Sequence, residues 1–236
     1  MVGELEALTS VESPSADAAA VRRCAEQLLV LGGGVLGQAG EVVERGGCPH
    51  VRWRFGSPRL VVIGHYDTVW PLGTLARWPF SLNGDRATGP GVYDMKAGVV
   101  QAVHAVAGLS DRDGLELLIT GDEEVGSPTS RSYIEELCAS GLKAALICEP
   151  AARGMLKTGR KGCSFYRLRV FGEAAHGSQP DRGVNALREL ALQVTALDDL
   201  ADASLGTTVT PTTAMAGSAQ NTVPGEASAR SSSAVT

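Results

Sequence analysis

Three short apolar segments constrain the fold more than any other feature of the sequence. They are residues 60–65, 115–120 and 144–148, and segments with helical periodicity lie between them. Nearly continuous apolar runs of this length are typical of strands buried on both faces, and their alternation with helices favours a parallel sheet. We therefore predict an α/β fold, with a largely parallel sheet and helices on both of its faces.

Side chains that can bind a metal follow each of these segments. His65 is the last residue of the first segment and Asp67 lies two positions further on, Glu123 and Glu124 follow the second segment, and Glu149 follows the third. Alone, the His-x-Asp pair is also compatible with a polar strand end that carries a histidine by chance. However, the carboxyl ends of parallel strands meet at one edge of a sheet, and a cluster of buried acids needs a compensating cation. We predict a metal site at this edge.

Composition narrows the classes of partner and the location. The formal net charge is -5 and the sequence pI is about 5.4, so nothing favours nucleic acid or an anionic membrane surface as a partner. No apolar run approaches the roughly 20 residues of a membrane span, and no basic, apolar leader begins the chain. The five cysteines are scattered and are expected to be reduced. We expect a cytoplasmic protein with a small substrate.

The sequence also predicts the remaining elements of the first domain. The segment Ser13-Pro14-Ser15-Ala16-Asp17 is expected to supply the capping residues of a helix that the glycines at 32–34 end near Leu31. Further predictions are strands at 42–43 and 51–55, a hairpin at Asn83-Gly84-Asp85, and helices at 95–109 and 129–139. His50 and His104 are interpreted as structural or surface residues.

After Pro150 the pattern changes to that of an α+β domain. Residues 163–170 alternate like a strand with one solvated face, a loop carries His176, and a helix at 184–200 precedes a threonine-rich strand at 207–216. We predict two domains, 1–158 and 159–236.

Several motifs, in this order along the chain, resemble the M20 metallopeptidase family. The resemblance is greatest to its glutamate carboxypeptidase (carboxypeptidase G2-like) branch, with acetylornithine and succinyl-diaminopimelate deacylases as relatives. It implies a zinc-peptidase-like catalytic domain and an α+β lid and dimerisation domain. The motifs are His65-Tyr66-Asp67-Thr68-Val69, Gly91-Val92-Tyr93-Asp94-Met95-Lys96, Asp122-Glu123-Glu124-Val125-Gly126-Ser127, Glu149-Pro150, Ala175-His176-Gly177-Ser178 and Asn221-Thr222-Val223-Pro224.

The resemblance implies a site that holds two zinc ions. Asp94 would bridge the ions, His65 and Glu149 would complete the coordination of one, and Glu124 would bind the other. Manganese or cobalt could replace zinc at ligands of these types.

The resemblance also implies catalytic roles. Asp67 would orient the metal-binding histidine, and Glu123 would be the general base. His176 would reach into the site of a partner subunit and stabilise the oxyanion, in a homodimer formed through the lid domain. Asn221 would contact the substrate, which would be a small peptide or an N-acyl amino acid.

One expected part of the family pattern is missing. The family uses a further metal-binding histidine near its C-terminus, whereas the last histidine here is His176, and Arg230 is followed by Ser231-Ser232-Ser233-Ala234-Val235-Thr236 where relatives continue as a strand. We therefore expect a truncated, frameshifted or split member that lacks the C-terminal part of its catalytic domain. Such a chain would expose apolar surface and hydrolyse substrates poorly.

Four functions stay open at this point. The first is hydrolysis of an amide bond next to a C-terminal carboxylate, with glutamate as a leaving group. The second is deacylation of N-acyl amino acids by the same site, and the third is a non-catalytic remnant that binds metal or dimerises. A Rossmann-type nucleotide site is disfavoured, because Gly89-Pro90-Gly91 lacks a third glycine and follows no strand. The acyl group and the leaving amino acid stay undetermined.

Overall fold

A computed structural model describes residues 1–151 and 154–235. The chain divides into two compact units, Met1–Ala152 and Arg153–Thr236. The assignment of a catalytic role to residues 1–158 and of a lid role to 159–236 stays a prediction. None of the helices in the described residues is long and apolar enough to cross a membrane.

The first unit is built from four helices and seven strands. They are α1 (Val2–Thr9), α2 (Ala18–Leu36), β1 (Glu41–Arg45), β2 (Cys48–Phe55), β3 (Leu60–His65), β4 (Ser81–Asn83), β5 (Arg86–Thr88), α3 (Ala97–Ala107), β6 (Leu115–Thr120), α4 (Ser130–Ala139) and β7 (Ala144–Ile147). Short helical turns lie at Val92–Lys96 and Glu123–Val125. Strands β4 and β5 form the predicted small hairpin.

A five-stranded sheet in the order β1-β2-β6-β3-β7 forms the centre of this unit. The three strands predicted to be parallel are parallel: Leu60 of β3 lies opposite Leu115 of β6 and Ala144 of β7. The hairpin of β1 and β2 adds antiparallel strands next to β6. The predicted α/β class is confirmed.

Both faces of the sheet are covered by helices, as predicted. Successive residues of a strand point to opposite faces. Accordingly, Val62 belongs to the core formed with α1, α2 and α3. Its neighbours Val61 and Ile63 pack against Tyr133 and Leu137 of α4. This burial fixes β3 on both faces, and it therefore also fixes the position of the residues at its carboxyl end.

Strand β7 departs from the prediction of a strand buried on both faces. All four of its residues are exposed, including Leu146 and Ile147, although β3 and β6 are almost entirely buried. The reason is position, because β7 is the edge strand of the described sheet. An apolar run predicts a strand, but it does not predict whether that strand is central or at an edge.

Helix α2 also differs from the prediction, since the glycines at 32–34 do not end it. The helix continues to Leu36 and ends at Gly37, while Asp17 caps its first turn by accepting the N–H of Ala20, as predicted. Gly32 lies directly against the indole of Trp53, and a Cβ at this position would be 2.4 Å from the ring. The glycine therefore serves close contact between helix and sheet rather than termination.

The second unit is α+β, as predicted. Its elements are β8 (Gly162–Phe171), β9 (Ala175–His176), α5 (Ala186–Ala196), β10 (Thr208–Ala216), β11 (Thr222–Val223) and β12 (Glu226–Val235). Strands β10, β12 and β8 form an antiparallel sheet in that order. Helix α5 covers one face of it, where Ala186 and Leu190 pack against Ala227 and Ala229.

The serine-rich segment at the end of the described chain is a strand, contrary to the interpretation from sequence. Residues of β12 pair with β10 on one side and β8 on the other. Ser231 and Ser233 are buried, and the Ser231 hydroxyl donates to the carbonyl of Thr210. Local composition disfavours a strand here, but cross-strand pairing on both sides outweighs that preference.

Candidate metal centre

Three of the predicted ligands converge at the carboxyl edge of the central sheet. His65 is the last residue of β3, Asp94 lies in the turn before α3, and Glu149 follows β7. The His65 Nε2 atom is 3.1 Å from Asp94 Oδ1 and 3.4 Å from Glu149 Oε1. Each residue offers one ligand atom, and these atoms lie within 4.8 Å of one another. One imidazole and two carboxylates are a suitable donor set for a divalent metal such as zinc.

Asp67 holds the imidazole from the other side. The His65 Nδ1 atom is 3.1 Å from the carbonyl oxygen of Asp67 and 3.4 Å from its Oδ1. Both side chains are fully buried, with 1% and 0% of their surface exposed. A hydrogen on Nδ1 satisfies these acceptors and leaves Nε2 directed at Asp94 and Glu149, which is the arrangement that a metal-binding histidine requires.

The protonation of His65 indicates that the cluster needs a positive charge. Burial opposes a charged imidazole, but hydrogen bonds to Asp67 and Glu149 outweigh it and raise the pKa of His65 to about 11. Without a cation, the surrounding acids therefore keep a proton on this ring. A metal ion would replace that proton and satisfy the same carboxylates.

Glu123 and Glu124 follow β6, in the turn at Glu123–Val125. The Oε2 atom of Glu123 is 3.9 Å from His65 Nε2, so this carboxylate faces the cluster without belonging to its three ligands. Glu124 is not among the three ligands either, within the described residues. Burial raises the pKa of both carboxyl groups, and neighbouring acids, Asp94 among them, raise them further. A raised pKa brings a carboxylate closer to the range in which it can act as a base near neutral pH.

The Asp67 carboxylate also fixes the backbone of this turn. Its Oδ1 accepts the N–H of Glu123 and its Oδ2 accepts the N–H of Glu124, each at 3.1 Å. The Ser15 hydroxyl donates to Oδ2 at 2.6 Å. Asp67 therefore connects the histidine to the glutamate pair. Ser15 has no predicted role beyond helix capping, because its partner is 52 residues away in the sequence.

Asp122 holds the other side of the turn, and the sequence does not predict this structural role. It accepts the N–H and hydroxyl of both Thr129 and Ser130 at the start of α4, over distances of 2.6 to 3.1 Å. Burial opposes its charge, but these hydrogen bonds outweigh burial and lower the pKa of Asp122. His50, interpreted as structural or surface, is buried, and its Nε2 atom lies 3.1 Å from the Thr129 hydroxyl. The signal in the sequence is weak: an acid directly before the glutamate pair.

Two predicted functional residues lie in the second unit. His176 pairs with Thr222, and the N–H of Gly177 donates to the carbonyl of Asn221 at 2.6 Å. His176 is exposed, and its Nδ1 is 2.8 Å from the Ser178 hydroxyl. The fold of this unit therefore brings His176 and Asn221 to one edge. Their roles stay predictions.

Gly98 lets the element that carries Asp94 approach the strand end that carries Glu149. A Cβ at this position would be 2.1 Å from the carbonyl oxygen of Cys148, which directly precedes Glu149. Backbone atoms cannot move aside as a flexible side chain can. The distance between two of the candidate ligands thus depends on a residue without a side chain.

We expect Gly98→Ala to lower the free energy of unfolding by about 1–3 kcal/mol and to weaken zinc binding, because the added methyl group pushes α3 away from Cys148. Denaturant unfolding and zinc titration measure the two effects. Gly34→Ala is the matched control, since this helical glycine has no atom within 4 Å of its Cβ position, and we expect it to stabilise by about 0.5–1 kcal/mol. A Gly98→Ala protein as stable as the wild type would contradict the close approach.

Fold and site together define a class: an α/β protein with a candidate divalent-metal centre at the carboxyl edge of its sheet. The chain belongs to peptidase family M20/M25/M40, whose profile matches residues 61–227. This finding confirms the family that the motifs indicate.

Curated relatives agree with this assignment. Carboxypeptidase G2 of Pseudomonas sp. (strain RS-16) is 34% identical in an alignment of 180 positions that covers 73% of this chain and 43% of that protein. Acetylornithine deacetylase of Salmonella arizonae is 32% identical in an alignment of 195 positions that covers 77% of this chain and 50% of the relative. Succinyl-diaminopimelate desuccinylase of Paracoccus denitrificans is 32% identical in an alignment of 229 positions that covers 84% of this chain and 58% of the relative. The chain thus spans about half the length of these relatives.

Solved structures support the fold. An M20 family metallo-carboxypeptidase, Sso-CP2 from Sulfolobus solfataricus, superposes with a TM-score of 0.76 at 19% identity, over 99% of this chain and 70% of that chain. A tripeptidase from Staphylococcus aureus superposes with a TM-score of 0.68 at 18% identity, over 99% and 65% of the two chains.

Proposed function

We propose that this chain carries the metal centre of a hydrolase that cleaves an amide bond next to a C-terminal carboxylate, as a glutamate carboxypeptidase does. The observation that supports it most is the meeting of His65, Asp94 and Glu149 within 4.8 Å, with the Glu123 carboxylate beside them. Three ligands leave open coordination positions for water and substrate, as catalytic metal sites require.

In this proposal the metal is zinc, with manganese or cobalt as substitutes. His65, Asp94 and Glu149 would hold one ion, and Asp94 and Glu124 would hold a second. When bound, such ions polarise the substrate carbonyl and lower the pKa of water. Asp67 keeps the His65 ring oriented, with its Nδ1 atom 3.4 Å from Asp67 Oδ1.

Glu123 is the proposed general base. It takes a proton from water and delivers it to the leaving nitrogen. Its backbone N–H is held by Asp67, so the carboxylate is positioned on the same support as the metal-binding histidine. His176 and Asn221 are proposed to contact the substrate, with His176 acting across a homodimer formed by the second unit.

Deacylation of N-acyl amino acids is the second candidate. Relatives named acetylornithine deacetylase and succinyl-diaminopimelate desuccinylase are 30% to 34% identical to this chain, a similarity close to that of carboxypeptidase G2 at 34%. Both reactions break a C–N bond with the same machinery. They differ in which side of the amide the enzyme recognises, so substrates must separate them.

Metal removal tests the proposal. We expect the chelator-treated chain to bind Zn²⁺ in calorimetric titration, with two ions per chain if Glu124 completes a second site. Hydrolysis of N-acyl glutamates, folates or N-acetylornithine is expected to disappear on chelation and to return when zinc is added. Preferential hydrolysis of N-acetylornithine would favour the deacylase. Zinc binding without hydrolysis of any of these substrates, both by this chain and by a form extended to the length of the relatives, would contradict the enzyme and support a non-catalytic metal-binding chain.

A further inference from the structure

Two sets of hydrogen bonds fix the turn that carries Glu123 and Glu124, and the second set has no role in the proposed mechanism. Asp67 holds the N–H groups of the pair. Behind the turn, His50, Thr129 and Asp122 form a chain of hydrogen bonds, in which His50 and Asp122 are buried and Thr129 is half-buried. We propose that this chain is a positioning relay, which aims the Glu123–Glu124 pair at the metal centre. The inference rests on the proposed function for the role of the pair.

The direction of each hydrogen bond in the relay follows from its partners. The Thr129 hydroxyl donates its hydrogen to Asp122 Oδ2 at 2.7 Å, so towards His50 it must accept. His50 Nε2, 3.1 Å away, therefore carries the hydrogen. His50 Nδ1 is then free to accept the N–H of Gly121, at 3.3 Å. All three contacts agree on one neutral tautomer, and none of the three side chains is left with an unmatched donor.

The relay joins three elements around the glutamate pair. His50 is on β2, Gly121 directly follows β6, and Thr129 directly precedes α4. Asp122 also accepts the N–H of Thr129 and the N–H and hydroxyl of Ser130, and its carbonyl accepts the N–H of Ser127. The loop between Gly121 and α4 is thus closed on itself and fixed to the sheet at His50.

The backbone of this loop requires such support. Gly126 and Ser127 both have positive φ, at 90° and 56°, and Ser127 is the only non-glycine residue with positive φ within the described ranges 1–151 and 154–235. A left-handed conformation at a residue with a side chain is unfavourable and persists only where surrounding contacts impose it. The relay and Ser130, which also binds Asp122, supply those contacts: His50 and Ser130 are 0% exposed, Asp122 is 4% exposed and Thr129 is half-buried.

Thr129→Val tests the relay because valine has the shape of threonine without the hydroxyl. It removes the acceptor of His50 and one donor to Asp122. We expect amide hydrogen exchange at Glu123 and Glu124, measured by NMR on the metal-free protein, to become about tenfold faster. Thr129→Ser keeps the hydroxyl and is expected to restore slow exchange. His50→Asn removes the other end of the same hydrogen bond and is expected to act like Thr129→Val.

Tyr133→Phe is the control for a general loss of stability. Tyr133 lies on α4 as well, and its buried hydroxyl donates to Glu116 at 2.6 Å and has no contact with the relay. The Tyr133→Phe variant is expected to lower the thermal midpoint of unfolding, whereas amide exchange at Glu123 and Glu124 and the zinc affinity stay unchanged. Thr129→Val, by contrast, is expected to weaken zinc binding about tenfold.

The outcomes separate the relay from the proposed function. Unchanged exchange in Thr129→Val, failure of Thr129→Ser to restore it, or equal acceleration in Tyr133→Phe would each overturn the relay. A wild-type protein that binds no zinc would overturn the proposed function instead. In that case the exchange rates, which need no metal, still decide whether the relay orders the turn.

Discussion

Glu123→Gln is expected to reduce hydrolysis by about 100- to 10,000-fold and to leave zinc affinity unchanged. An amide cannot take the proton that the proposed base removes from water. The side chain is nevertheless not one of the three converging ligands, because its Oε2 lies 3.9 Å from His65 Nε2, beyond Asp94 and Glu149. Since the interaction belongs to the transition state, kcat and kcat/KM should fall together.

The pH profile gives this prediction a second readout. A general base must be ionised, and burial together with neighbouring acids raises the pKa of Glu123. As the pH is lowered, activity should therefore be lost at a higher pH than it would be if the base were a glutamate with an ordinary pKa. Steady-state rates across pH measure this limb. Glu124→Gln is the matched comparison, because it is expected to lower zinc stoichiometry or affinity. A Glu123→Gln enzyme that retains wild-type kcat would remove Glu123 from the mechanism.

His65→Ala is expected to weaken zinc binding by more than about 100-fold, since loss of a ligand costs more than loss of a residue that only orients one. It removes the central atom of the cluster, the Nε2 that both Asp94 and Glu149 approach. The two remaining carboxylates would repel each other. Calorimetric titration with Zn²⁺ measures the change. His104→Ala is the control, since this histidine lies on α3 and faces Glu4 at 3.6 Å, outside the cluster.

Zinc binding should also release a proton from His65. The pKa of this imidazole is raised to about 11 in the metal-free chain, so at neutral pH the metal competes with a bound proton. Below that pKa, zinc affinity is expected to increase about tenfold for each unit of pH, from this residue alone. Titration in buffers with different ionisation enthalpies counts the protons released. Affinity that does not change between pH 6 and 8 would mean that His65 is not a ligand.

Much of the candidate site could be predicted because its residues follow strands with strong local signals. Apolar runs at 60–65, 115–120 and 144–148 predict strands, and parallel strands must bring their carboxyl ends to one edge. His65 and Glu149 meet there, and Glu123 faces them. Asp94 could be placed only through its motif, because none of the three apolar runs ends near it in the sequence. Glu124 adjoins the proposed base, Glu123, but lies outside the three converging ligands.

The residues that support the site could not be predicted, since their partners are distant in sequence. Ser15 binds Asp67 across 52 positions, and His50 binds Thr129 across 79. A side chain is excluded at Gly98 by the backbone of Cys148 and at Gly32 by the ring of Trp53. No local pattern encodes such pairs.

The amino-acid sequence by itself determined the three parallel strands, the order of potential ligands along the chain and the family. These depend on hydrophobic periodicity and on residue type, which are local properties. The tertiary structure alone decided that β7 lies at an edge with exposed residues, that the serine-rich β12 pairs on both sides, and that Asp67 joins His65 to the glutamate pair. Burial and pairing depend on which segments become neighbours in space, and that is a property of the whole fold.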